Sequence, residues 1–127
     1  MNDAYVSFKT SKLLKNKGFS IPSDTSYEDC IWAMYDEYGK AHWGVYSSDW
    51  YFIITQQMAC NWLKEEKGIY ISVVPDFNEY GEYPDDLYWF ARVYDLRNGD
   101  YIHSTKLYKS SQETFEATIQ YVLTNLI

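Results

Sequence analysis

TQQMACNWLKEEKGIYISVV, residues 55–74, is the stretch on which the fold turns. Met58, Ala59, Trp62 and Leu63 recur at the spacing that sets side chains on one face of an α-helix. Thr55 stands where an N-cap hydroxyl accepts from the first free N–H groups. Lys64, Glu65, Glu66 and Lys67 fill the last turn, and Gly68 supplies the left-handed residue that ends it. Ile69, Ile71 and Val73 then alternate with Tyr70, Ser72 and Val74, the period of a strand.

Downstream, the acidic loop Pro75 to Asp86 leads to Leu87–Leu96, LYWFARVYDL, the clearest strand pattern in the chain. Leu87, Trp89, Ala91 and Val93 share one face; Tyr88, Phe90, Arg92 and Tyr94 share the other. Arg97-Asn98-Gly99-Asp100 holds the Asn-Gly pair that suits a tight I′ hairpin turn, with Tyr101 to Lys109 as the returning strand. Ser110 and Glu113 form an S-x-x-E capping box. The helix behind it carries Phe115, Ile119, Val122, Leu123 and Leu126 as its apolar stripe.

Upstream, Ala4 to Lys17 reads as a short helix with Ser7 as N-cap and Gly18 as stop. Val6, Leu13 and Leu14 face the body, and Lys9, Lys12 and Lys15 form a solvated stripe. Residues 19–26 form an extended connector broken by Pro22. Tyr27 to Tyr38 reads as a strand, and Ala41 to Tyr46 as a short hairpin return. Trp50 to Ile54 leads into the central helix. The expected fold is a single α+β domain over residues 1–127, in the order α-β(β)-α-β-β-β-α. A mainly antiparallel sheet carries the helices on one face. Met58, Trp62 and Leu63, with Phe115, Ile119 and Val122, are expected to pack against Ile71, Trp89, Ala91 and Val93.

The chain has 127 residues and net charge −7, with 20% aromatic residues, 14 of its residues being tyrosine. Four lysines against Asp3 make the first 20 residues basic by three, which leaves −10 on the rest. Such a body repels phosphate backbones, so direct nucleic-acid binding is not expected. No apolar leader core opens the sequence and no run is long enough to span a bilayer, which points to a cytoplasmic chain with Cys30 and Cys60 as reduced thiols.

Chemistry-bearing patterns are sparse. Asp76, Asn78 and Gly81 begin like a calcium loop, but Tyr80 and Leu87 stand where carboxylates are needed, so no metal is expected there. His42, His103, Cys30 and Cys60 are scattered singletons without zinc spacing. No phosphate-cradling glycine loop and no nucleophile elbow occur, so neither cofactor nor catalytic residue is assigned. What remains is the sheet face of Tyr88, Phe90, Arg92 and Tyr94, joined by Tyr70 from the neighbouring strand. Aromatic rings around an arginine are the composition of protein-interface anchors.

Thr55-Gln56-Gln57-Met58-Ala59, then Trp62-Leu63, then Ile69 and Ile71, resemble a pattern in a group of small proteins from gut anaerobes and from their phages and prophages. Tyr5-Val6-Ser7, Leu13-Leu14 and Gly18-Phe19 are similar to that group as well. So are Ser110, Glu113, Ala117, Ile119, Tyr121 and Asn125-Leu126-Ile127, with Thr114 and Thr118 as departures. The group has no established activity or ligand, so no functional residue carries over. The resemblance implies a bacterial cytosol and an accessory phage protein.

The function expected is therefore non-enzymatic binding of a protein partner, or of a second copy, through the aromatic face. A small enzyme or nucleotide-binding protein with a site built from scattered residues is the first alternative. An acidic nucleic-acid mimic is the second.

Overall fold

The computed structural model describes residues 4–20, 33–44, 46–76 and 88–127. It has three helices and two antiparallel three-stranded sheets, an α+β architecture. Helix α1 spans Phe8–Asn16, α2 Gln56–Lys67 and α3 Ser111–Asn125. Strands β1 (Ala33–Tyr35), β2 (Ala41–Trp43) and β3 (Tyr51–Phe52) form the smaller sheet, in the order β2-β1-β3. Strands β4 (Ile69–Asp76), β5 (Tyr88–Asp95) and β6 (Asp100–Ser104) form the larger, in chain order.

The expected N-cap hydroxyls hold each helix, while among the described residues only the serine's half of the Ser110–Glu113 box is bonded. The hydroxyls of Ser7, Thr55 and Ser110 accept from the backbone N–H of Thr10, Met58 and Glu113. Gly68 ends α2 at φ 67°, in the left-handed region that a side chain strains, and its position lets β4 start at once. Arg97 then reaches back from the β5–β6 loop to donate to the Lys67 carbonyl, one of the open acceptors at the end of α2.

The core lies between the larger sheet and α2 with α3. Ala59, Leu63, Ile119, Val122 and Leu123 pack on Ile69, Ile71, Ala91 and Val93, all buried. Three expected contributors differ, one of them Trp89, which is half-buried and lies outside this cluster. Met58 is 46% exposed, because Ala59 and Leu63 one turn apart already define the buried line of α2. Trp62 is half-buried and turns toward the end of α1, meeting Phe19 edge-on at 5.6 Å.

Other boundaries also moved. Residues 4–6 are extended, not helical: Tyr5 pairs with Thr55, and Val6 N–H donates to the Ile54 carbonyl at 2.9 Å. The hairpin return at Ala41 forms, and Tyr51–Phe52, in the segment expected to lead into the central helix, pairs with β1 as a third strand. Of the strand expected from Tyr27, residues 27–32 lie outside the described residues. The Asn98-Gly99 pair does not make a I′ turn. That turn needs positive φ at both central residues, and only Gly99 has it. Asp95 pairs with Asp100 across a four-residue loop, where the Asp95 carboxylate accepts from Arg97 N–H and the Asn98 side-chain amide.

Helix α1 joins the two sheets. Phe8 meets Tyr35 and Tyr51 of the smaller sheet edge-on, at 5.6 and 5.7 Å. Its other side meets α3 through a polar cluster: Glu116 Oε1 accepts from Ser7 N–H and the Thr10 hydroxyl, and Gln120 donates to Thr10 at 3.0 Å. A carboxylate there also faces the positive end of the α1 dipole. Burial, and then the charge of Glu116, raise the Tyr35 phenol above its ordinary pKa. The lysine stripe is not wholly solvated, since Lys15 donates to the carbonyls of Ser48 and Trp50 at 2.6 and 3.1 Å.

Candidate functional site: the outer face of the larger sheet

Register and strand period assemble the site. Tyr70 lies opposite Tyr94, Ser72 opposite Arg92, Val74 opposite Phe90 and Asp76 opposite Tyr88. Side chains of paired residues share a face, so all five residues singled out from the sequence stand on the side of the sheet away from α2 and α3. Tyr70 is 42% and Tyr88 38% exposed, Arg92 is exposed, and Phe90 and Tyr94 are half-buried.

A sixth residue belongs with them. Between Val93 and Tyr94 the β5–β6 register shifts by one, so Val93 faces His103 but Tyr94 faces Tyr101. Ile102 is the extra residue of this bulge, and Tyr101 joins the outer face at 56% exposure. Tyr70, Tyr94 and Tyr101 thus form a row across three strands, with centroids 6.4 and 5.9 Å apart. Below the row, the Arg92 guanidinium sits 5.3 Å from the Phe90 ring, a cation–π distance that leaves its N–H donors free to face outward. The aromatic content of Tyr101 was visible in the sequence, but not the bulge that turns it outward.

The other singletons find ordinary places. His103 points to the opposite side and stacks on Tyr121 of α3 at 3.9 Å. His42 is bonded to the Asp36 carboxylate at 2.8 Å and stacks on Trp50 at 4.6 Å. That bond, then the backbone N–H of Lys40, hold the Asp36 carboxyl below its ordinary value. This dyad fastens the β1–β2 hairpin; among the described residues His42 makes no further hydrogen bond. Burial pushes the Cys60 thiol up to about 12, which removes the thiolate that nucleophilic or metal chemistry needs.

No family model, curated protein or solved structure matches this chain. Among the described residues there is no group of three metal-ligating side chains, and no helix long and apolar enough to cross a membrane. The calcium-like loop beyond Asp76, and Cys30, lie outside the described residues.

Proposed function

We propose that this chain is a binding protein that engages another protein through the outer face of β4, β5 and β6. The observation that carries this reading is the row Tyr70, Tyr94 and Tyr101 above Arg92, on the face that α2 and α3 leave uncovered. Tyrosine combines a large rigid contact area with a polar tip and few rotors to freeze. An arginine braced on a ring keeps its planar donor fork ready for a carboxylate or carbonyl. A bacterial cytosolic setting and a phage-accessory role belong to the same proposal and rest on the sequence resemblance alone. Self-association through this face is one version of it.

The test pairs Arg92→Ala and Tyr101→Ala with a thermal melt and sedimentation of each variant. Both residues are exposed, so both variants should melt like the parent. Association with the protein partner, or with a second copy, should weaken by about 1 kcal/mol or more at an anchor position. Loss of the folded monomer in both variants would make the face part of the core and end the reading.

A further inference from the structure

Ladder parity along β4 leads to a second binding site, at the edge of the sheet, which borders the aromatic face at Tyr70. Leu96 N–H donates to the Gly68 carbonyl at 2.8 Å, and this pair continues the β4–β5 register. Residues of β4 at even positions therefore spend their backbone groups on β5. Ile69, Ile71 and Val73 aim theirs the other way, where no described strand pairs with β4. Pro75 has the same parity, so its missing N–H costs the ladder nothing, as a free edge requires. Between Ile69 and Val73 the strand carries no lysine, no proline and no bulge in the β4–β5 pairing, three of the devices that blunt an edge.

A groove of about 300 Å³ runs beside this edge, between β4 and α2. Cys60, Phe115 and Val73 give it an apolar stretch, and Gln57 and Asn61 line its helix side. Lys64 is its one charged lining residue, and it lies toward the end of α2 that runs into Ile69. We propose that an extended peptide from a partner protein adds to β4 as an antiparallel fourth strand. An apolar side chain lies opposite Val73 and an acidic one opposite Ile71, within reach of Lys64. Both point into the groove because paired residues share a face and residues two apart stay on it. In the antiparallel sense the apolar residue precedes the acidic one. Charge decides the occupant: a second copy would bring another Lys64 to the same seam.

The probe is a fluorescent hexapeptide with leucine two residues before glutamate and threonines elsewhere, titrated into the full chain with amide NMR. Saturable shifts are expected at Ile69, Ile71 and Val73. Lys64→Glu should weaken binding about fivefold, and a peptide with lysine in place of glutamate should recover it. N-methylation at the leucine, which removes one edge hydrogen bond, should cost about tenfold. Val73→Pro should do the same without touching the ladder to β5, and Val73→Ala separates that effect from lost packing. Absence of saturable shifts, or binding indifferent to Lys64 and to N-methylation, overturns the proposal. Shifts at Ile69–Val73 that fade on dilution of the protein alone replace the peptide by a second copy. Shifts confined to Tyr94 and Tyr101 return the contact to the aromatic face, since Tyr70 borders both sites. Arg92→Ala should leave peptide affinity unchanged, so the two sites fail separately.

Discussion

Thr114 and Thr118 are completely buried in α3, yet neither strands a polar atom. The Thr114 hydroxyl donates to the Ser110 carbonyl at 2.8 Å, and that of Thr118 to the Thr114 carbonyl. Each threonine thereby shows the core little but its methyl group. Thr118→Val keeps the shape and leaves an acceptor already used by the helix, so it should change stability by less than about 1 kcal/mol in a urea titration. Asp36 behaves oppositely, since its partners need its charge. Its folded pKa is lowered chiefly by the His42 bond, from an ordinary 3.8. The stabilisation is therefore present above that ordinary value and is lost as pH falls through the lower folded one. Asp36→Asn should lower the melting temperature at neutral pH, and the gap to the parent should close in strong acid. At this scale the sequence was readable where a residue type has one main use, as with the capping serines. It was silent on the Asp36–His42 pair, whose spacing means something only once the hairpin register is known.

The α2–β4 unit shows what makes an element legible. Its stripe, cap, stop and strand period all agree, and it starts, stops and turns where expected, with β4 carrying on through Pro75 and Asp76, which the sequence assigns to the loop. Leu63 is fully buried at its centre, so Leu63→Ala should cost about 2–5 kcal/mol. The neighbouring Lys64→Ala should cost less than about 0.5 kcal/mol, with both read from denaturant midpoints. Gly68→Ala meets a left-handed φ and the Arg97 side chain 2.9 Å from the new Cβ, and should destabilise by about 1 kcal/mol or more. Strand β3 was illegible for the converse reason. Two residues carry no period, and its existence depends on β1 arriving beside it. The β6 bulge is similar: nothing in Tyr101-Ile102-His103 tells which residue the ladder will skip.

Across the whole molecule, the outer face was deducible because β4 and β5 each kept a strict alternation that pairing then brought together. What could not be read was how the remaining chain divides: a second sheet forms on the α1 side, and it leaves the outer face uncovered. The joint between the halves is the cluster of Ser7, Thr10, Glu116 and Gln120. Glu116→Ala removes the acceptor of two of those donors and should destabilise by about 1–3 kcal/mol in chemical denaturation.

That joint also gives the chain a direction in time. A polypeptide is made from its N-terminus, so Ser7 and Thr10 leave the ribosome long before Glu116 and Gln120 exist. The sheet of β4, β5 and β6 needs only neighbours close in sequence, whereas α1 must wait for α3 to supply its acceptor. Ribosome-held chains that stop before Ser110 should therefore show protease cleavage within residues 8–16, and the full chain after release should resist it there.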